Sequence, residues 1–231
     1  MKQSNRQSYK GQSWKNIEKI IREGYDRGNV FHDWLDLMLY AYLSLTDNFK
    51  RGNNDFGKFN GEWEKKYMEI VGRYKKSEID LFADAHTELV KEIITTGEDC
   101  LGEIYEKEIT YGEHGQFFTP LSICDFMANI SNVKDGERVY DPACGSGRLL
   151  LSAAKLNPRA IFYGTDLDQR CAKMTVLNLI FRGLKGKVQW GNSLTFEIFK
   201  EWYIQGGLVE QNDNPPKQEI KSKEKHQQVL I

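Results

Sequence analysis

An acid and two glycines, Asp141, Gly145 and Gly147, are the residues whose types and spacing point most directly to ligand binding. Two β-favouring residues precede Asp141 and a helix-like run follows Gly147, so the pattern predicts a strand, a tight turn and a helix start. Glycines remove Cβ atoms where a ligand must approach the backbone, and the free N–H groups of a new helix carry partial positive charge. The stretch therefore predicts a site for a nucleotide-like cofactor, although glycines at this spacing also make ordinary strand-to-helix turns.

Polar residues also end the next two predicted strands. The apolar run from Ala160 to Thr165 leads to Asp166, and the run from Lys187 to Trp190 leads to Gly191 and Asn192. An acid after the second strand of a βαβ unit lies where an acceptor for ribose hydroxyls is expected. Three strand ends, each with a polar group, describe the ligand crevice of an open α/β sheet.

Four motifs in this order resemble the motif set of the N6-adenine DNA methyltransferases. They are G-Q-F-F-T-P at 115–120, D-P-A-C-G-S-G at 141–147, T-D-L-D at 165–168 and G-N-S-L at 191–194. The resemblance is greatest to the modification subunits of type I restriction systems and their small phage-type relatives. It covers roughly residues 98 to 204, and the family pattern is shortened after the third strand.

The resemblance implies S-adenosylmethionine as the cofactor. In the family the F-x-T-P segment closes over the methionine end, the glycine turn cradles the amino-acid part, the acid after the second strand takes the ribose hydroxyls, and the third strand ends by the adenine. Carried over to this sequence, the cofactor-binding residues are Gln116, Phe117, Phe118, Thr119, Pro120, Asp141, Gly145, Ser146, Gly147, Asp166 and Asn192. Core packing is the alternative interpretation of the two phenylalanines.

The chemistry of the turn also favours this cofactor over a dinucleotide. A dinucleotide fingerprint has a third glycine for close helix packing, and here that position is Leu150. S-adenosylmethionine carries no phosphate, and its amino group and sulfonium need acceptors and π faces. Asp141, with Phe117 or Phe118, supplies both.

The hydrophobic period changes near Gly97 from helical stripes to short apolar strands. This change predicts an α/β fold, in which a truncated Rossmann-like methyltransferase sheet follows an all-α N-terminal domain. The predicted domains are a fraying N-terminus at 1–13, a helical domain at 14–97, a cofactor-binding domain at 98–205 and a polar tail at 206–231. A loop is predicted to begin at Asp47.

The composition, with 40% hydrophobic residues in a chain of 231, allows a sizeable core, and the formal net charge is −1. No global basic field indicates nucleic-acid binding, so DNA contact would need a local patch. Residues 1–30 hold seven lysines or arginines against three acids, for which a solvated helix face is the commoner explanation. The four cysteines and the histidines have no metal-ligand spacing. No apolar run of about 18 residues and no charged-then-apolar leader are present, so a cytoplasmic protein without a membrane span is expected.

The resemblance also implies a catalytic motif on a fourth strand, N-P-P-F or N-P-P-Y, whose Asn and first Pro hold the adenine amino group while the aromatic ring stacks on the base. This sequence has Asn214-Pro215-Pro216-Lys217, where lysine replaces the aromatic residue and the polar run Glu210 to Asp213 replaces an apolar strand. A linker is the favoured interpretation, a degenerate catalytic motif the other. The catalytic residues are therefore unassigned.

Without that fourth strand, the second edge of the first strand would be unpaired. Either Val229 to Ile231, part of the segment 206–228, or another chain is expected to cover it, the last as a protein partner or by self-association. The resemblance implies a DNA adenine-N6 methyltransferase, acting alone or as a cofactor-binding subunit. An inactive cofactor-binding module, acting as a regulator or anti-restriction factor, is the alternative, and methylation of a protein or small molecule is a third.

Overall fold

The computed structural model describes residues 9–52, 61–110, 118–215 and 228–230. Its N-terminal part consists of four helices, α1 Gln12–Arg22, α2 Arg27–Lys50, α3 Glu62–Val71 and α4 Lys76–Thr96. The helical N-terminal part predicted from the apolar stripes is confirmed. The loop predicted to begin at Asp47 begins later, because α2 continues to Lys50.

The apolar stripes of these helices form one side of the core. Trp14, Ile17 and Ile20 of α1 are fully buried, as is Trp34 of α2. The carboxylate of Asp26 caps α2 by accepting from the backbone N–H of Asn29 at 2.8 Å, which satisfies one of the free donors of its first turn. The helices of this part of the chain therefore form where the sequence has an apolar stripe of helical period, and they bury that stripe.

The second part of the chain alternates strands and helices. Its helices are α5 Cys100–Ile104, α6 Leu121–Ser131, α7 Arg148–Leu156 and α8 Gln169–Phe181, and a π-helical turn, Tyr105–Thr110, follows α5. Its strands are β1 Arg138–Asp141, β2 Ile161–Asp166, β3 Lys185–Asn192, β4 Glu197–Gln205, β5 Leu208–Asn212 and β6 Gln228–Leu230. The chain is thus a mixed α/β protein.

The six strands form one sheet in the order β5-β4-β3-β2-β1-β6. Strands β6, β1, β2 and β3 are parallel, while β4 and β5 are antiparallel to their neighbours β3 and β4. The carboxyl ends of β1, β2 and β3 consequently meet at one edge, with Asp141, Asp166 and Asn192 as their last residues. The predicted strand ends are confirmed.

The sheet continues beyond the third strand with the antiparallel strands β4 and β5, which the sequence analysis did not predict. The polar stretch predicted as a tail contains β5, joined to β4 by a tight turn in which Gly206 and Gly207 have φ of 60° and 80°. Polar residues can form this strand because an antiparallel edge strand needs only one apolar face. Val209 supplies that face and is 1% exposed, while Glu210 points to solvent.

The second edge of β1 is covered by the chain itself. Strand β6 pairs with it in parallel, so that Val139 lies opposite Val229. Of the interpretations offered for this edge, the one involving Val229 is confirmed, and β1 needs no other chain to complete its pairing.

The helical part is joined to the far edge of the sheet through Thr46 of α2. Its hydroxyl donates to the carbonyl of Tyr42 at 2.9 Å and accepts from the backbone N–H of Val209 at 3.0 Å. The outward-facing N–H of the edge strand β5 is therefore satisfied by a helix, which also shields that edge from pairing with another chain. Within the described ranges, none of the helices is both long and apolar enough to cross a membrane.

Replacing Thr46 with valine should destabilise the fold, because the buried N–H of Val209 would lose its acceptor. The expected loss in free energy of unfolding is about 1–3 kcal/mol, measured by urea denaturation. Thr87→Val is the matched control, since Thr87 donates the same kind of hydroxyl bond, to the carbonyl of Ala83 at 3.1 Å, on an exposed face. The control should change stability by less than about 0.5 kcal/mol. Equal effects of the two variants would contradict the role of Thr46.

Candidate functional site

The glycine turn between β1 and α7 is closed by backbone hydrogen bonds. The N–H of Cys144 donates to the carbonyl of Thr165 at 3.0 Å, and the N–H of Gly147 donates to the carbonyl of Cys144 at 2.7 Å. Gly145 and Gly147 have φ of 55° and 89°, in the left-handed region that side-chain-bearing residues rarely adopt. The turn thus requires glycine at both positions.

The space left by the two glycines is filled by the protein. A Cβ on Gly145 would lie 2.8 Å from the ring of Phe118, and one on Gly147 would lie 3.1 Å from the side chain of Thr175. The hydroxyl of Thr175 also donates to the carbonyl of Gly145 at 2.9 Å. In this structure the missing Cβ atoms therefore allow Phe118 and Thr175 to pack against the turn, and the prediction that the glycines also let a ligand approach stays a prediction.

Asp141, at the end of β1, is a buried acid beside the turn. It is 7% exposed, and one carboxylate oxygen accepts from the N–H of Ala143 at 3.0 Å. Burial, with a smaller contribution from the nearby carboxylate of Asp166, raises the pKa of Asp141 to about 6. Its charged form is thus only partly compensated by the protein.

Asp166, at the end of β2, connects the turn to the next loop. One carboxylate oxygen accepts from the N–H of Gly145 and the other from the N–H of Asp168, each at 2.8 Å. Burial raises the pKa of this carboxyl as well. No lysine or arginine among the described residues forms a salt bridge with Asp141 or Asp166, so the strand ends present negative charge that suits a cationic ligand.

Ser146 faces the interior of the protein. Its hydroxyl donates to the carboxylate of Asp99, which also accepts from Asn178 Nδ2 at 2.8 Å and from the N–H of Gly102 at 3.0 Å. Ser146 is 1% exposed. The structure therefore gives this predicted cofactor residue a contact that holds the turn in place, through an aspartate that the sequence analysis did not identify.

The F-x-T-P segment approaches the turn through Phe118. This half-buried ring stacks on Tyr105, with ring centroids 5.9 Å apart, while Thr119 and Pro120 are exposed. Gln116 and Phe117 lie outside the described residues. Of the two phenylalanines, Phe118 thus packs within the protein, beside the predicted cofactor site.

The last predicted residue, Asn192, closes the loop that follows β3. Its amide oxygen accepts from the N–H groups of Leu194 at 2.9 Å and Thr195 at 3.3 Å. Just before it, Trp190 donates its indole N–H to the carbonyl of Leu167 at 3.0 Å. Trp190 therefore links the ends of β2 and β3. The sequence gives no signal for this contact, because a single tryptophan in an apolar strand is typical of core packing.

An open cleft of about 440 Å³ lies at these strand ends. It is lined by Asp166, Leu167, Asp168, Gln169, Arg170 and Trp190. The cleft combines the acid of β2 with an exposed leucine and a tryptophan ring, which suits a ligand with both a polar and a flat apolar part. A larger cavity, about 640 Å³, lies beside Ile161 and Lys185 at the amino ends of β2 and β3, away from the turn.

Two basic residues of the N-terminal segment, Lys19 and Arg27, contact other side chains of the protein. Arg27 forms a salt bridge with Glu108 at 3.0 Å, and its guanidinium lies 5.5 Å from the ring centre of Trp14. Lys19 donates to the side chain of Asn16 at 3.1 Å. These contacts favour the solvated helix face over a nucleic-acid patch for the part of this segment that the structure describes.

Comparison with known families identifies the class of protein. Residues 96–219 match the family described as N-6 DNA Methylase. The match covers more than half of the chain and includes the glycine turn and all three strand ends. The chain therefore belongs to the N-6 DNA methylase family.

Individual relatives share this region. The chain is 35% identical over 116 residues to the type I restriction enzyme MjaIX methylase subunit of Methanocaldococcus jannaschii, covering 45% of this chain and 21% of that protein. It is 23% identical over 239 residues to the type I restriction enzyme MpnII methylase subunit of Mycoplasma pneumoniae, covering 89% and 42%. It is also 37% identical over 76 residues to a tRNA (guanine(10)-N2)-dimethyltransferase of M. jannaschii, covering 33% and 21%. The chain spans less than half the length of each.

Asp141→Asn should stabilise the fold at alkaline pH. The folded-state pKa of Asp141 is about 6, above its ordinary value near 3.8, so this group lowers stability as pH rises through that interval and does so fully above it. The variant should exceed wild type by about 1–3 kcal/mol at pH 8 and by much less at pH 4, measured by chemical denaturation. Asp135→Asn is the control, because the exposed Asp135 pairs with Arg159 and should give no gain. A loss of stability in Asp141→Asn at pH 8 would contradict the assignment.

Proposed function

We propose that this chain binds S-adenosylmethionine at the carboxyl ends of β1, β2 and β3 and provides it for N6-methylation of adenine in DNA, as the cofactor-binding part of a methyltransferase. The observation that carries the proposal is a pair of acids, the buried Asp141 and the half-buried Asp166, that no cation of the described residues neutralises. S-adenosylmethionine carries an ammonium group, a sulfonium and a ribose diol. Each would gain from a carboxylate held in a site of low dielectric.

Different residues of the chain would bind different parts of the cofactor. Asp166 keeps acceptor capacity beyond its two backbone bonds, because each carboxylate oxygen has two lone pairs, so it can take the ribose hydroxyls. Asp141 lies by the turn and suits the cationic amino-acid end. The first N–H groups of α7 favour the carboxylate of that end, and Leu167 and Trp190 offer apolar surface for the adenine. When bound, the cofactor supplies the methyl group.

The strand topology of the sheet supports a cofactor site at these strand ends. Four parallel strands, β6, β1, β2 and β3, place the cleft outside their carboxyl ends, as expected for a shortened Rossmann-like arrangement. The family match and the type I methylase relatives support DNA as the substrate, rather than a regulatory or anti-restriction role. The similarity to the tRNA methyltransferase extends over only 76 residues, which favours a shared cofactor-binding region over a shared substrate.

We infer that Asn214 is not the acceptor that holds the adenine amino group. It is exposed, and it follows β5, which is three strands from β2 in the sheet. With neighbouring strands about 4.8 Å apart, its backbone is on the order of 14 Å from the end of β2. We therefore propose that a group other than Asn214 holds the flipped base.

Removing the acid of β2 should weaken cofactor binding. Asp166→Ala deletes the charge-assisted acceptor for the ribose, so its affinity for S-adenosylmethionine should fall by roughly 1.5–3 kcal/mol, measured by calorimetry. The control is Asp135→Asn, at the opposite end of the same domain, which should bind like wild type. No heat from the wild-type chain with millimolar S-adenosylmethionine or S-adenosylhomocysteine would sink the cofactor assignment.

Asn214→Ala should leave methyl transfer unchanged. The measurement is transfer of a tritiated methyl group to DNA that lacks adenine methylation, with wild type as reference and Asp166→Ala as the variant that loses transfer. Loss of transfer in Asn214→Ala, with cofactor binding intact, would restore the N-P-P-K stretch as a catalytic motif. Transfer to a tRNA transcript but not to DNA would contradict the proposed substrate.

A further inference from the structure

We propose that Arg148 is a positioning residue, which fixes Phe118 and Thr119 against the glycine turn and thereby sets the affinity for S-adenosylmethionine. This inference rests on the proposed function, because it assumes that the turn binds that cofactor. Neither the motif pattern nor the resemblance assigns a role to this arginine.

The guanidinium of Arg148 joins three separate parts of the chain to the turn. Nε donates to the carboxylate of Asp99 at 3.3 Å, and one terminal nitrogen donates to Glu106 at 3.5 Å. The other terminal nitrogen donates to the carbonyl of Thr119 at 3.3 Å, and the guanidinium carbon lies 5.4 Å from the ring centre of Phe118. The side chain is only 12% exposed, so these contacts are made largely out of water.

Helix stability does not explain an arginine at this position. Arg148 is the first residue of α7, where the helix dipole disfavours positive charge, and its side chain is mostly buried. Asp99 and Glu106 offset that cost by neutralising the guanidinium. What the arginine contributes in addition is the contact with Phe118 and the carbonyl of Thr119.

Phe118 is the means by which Arg148 acts on the turn. The ring occupies the space beside Gly145 where a Cβ would otherwise be, and it stacks on the fully buried Tyr105. Holding the ring there fixes one wall of the turn before any ligand arrives. A preordered wall lowers the entropic cost of binding.

Lysine cannot replace this arginine. An ammonium group keeps the charge, but it lacks the planar fork that bonds to two acids and a carbonyl while stacking on a ring. Arg148→Lys should therefore retain the fold, since Asp99 and Glu106 remain neutralised, while Phe118 loses its fixed position.

The test is a double-mutant cycle on S-adenosylmethionine affinity, measured by calorimetry on the full chain. Arg148→Lys alone should weaken binding about tenfold. Phe118→Leu keeps an apolar side chain against Gly145 but removes the ring, and in that background Arg148→Lys should weaken binding less than threefold further. Such non-additivity is expected only if the arginine acts through Phe118. Thermal unfolding followed by circular dichroism checks that each variant folds.

Arg27→Lys is the matched control, because Arg27 also combines an ion pair with a ring contact, to Glu108 and Trp14, within the helical part. It should lower the melting temperature by about as much as Arg148→Lys and leave affinity unchanged. Two outcomes would overturn this inference alone, provided that the wild-type chain binds S-adenosylmethionine. One is an unchanged affinity in Arg148→Lys, and the other is a double variant whose loss of affinity equals the sum of the losses in Arg148→Lys and Phe118→Leu. Absence of binding by wild type would overturn the proposed function and this inference with it.

Discussion

The buried carboxylate of Asp99 is the constraint on which the geometry of the site depends. It is 5% exposed and accepts hydrogen bonds from Gly102 of α5, Ser146 of the turn, Asn178 of α8 and Arg148 of α7. A buried carboxylate is costly unless its oxygens are satisfied, and removing one donor leaves that cost uncompensated. The three helices and the turn must therefore meet where Asp99 lies, which ties the glycine turn to the segment leaving the helical part.

The acids around the turn differ in whether a cation compensates them. Asp99 is paired with Arg148, and Asp168 with Arg170 at 2.7 Å. Among the described residues, Asp141 and Asp166 have backbone donors only, and burial raises the pKa of both. The paired acids, Asp99 and Asp168, stabilise the fold around the turn. The other two retain negative charge, which lowers the free energy of unfolding. Perturbed acids of this kind are candidates for a functional site, because a framework alone would gain from neutralising them.

The parts of the structure that could be predicted from the sequence are those that leave a local pattern in it. Periodic stripes located the N-terminal helices, and short apolar runs ending in Asp141, Asp166 and Asn192 located three strands and their common edge. Contacts between distant residues could not be predicted in this way. Asp99 and Ser146 are 47 residues apart, and the strand containing Val209 is polar because it lies at a sheet edge, held by the hydroxyl of Thr46 from α2. Neither contact leaves a periodic signal.

The glycine turn contains two residues whose type the backbone conformation itself requires. The left-handed backbone at Gly145 and Gly147 requires glycine whatever the turn binds, and the space without Cβ atoms is filled by Phe118 and Thr175. The glycines are thus explained by packing within the protein. What distinguishes this turn from an ordinary strand-to-helix turn is the acid on each side, Asp141 and Asp166, whose charge the protein leaves largely uncompensated. Those two carboxylates therefore favour a cationic ligand, and the glycine turn brings them together.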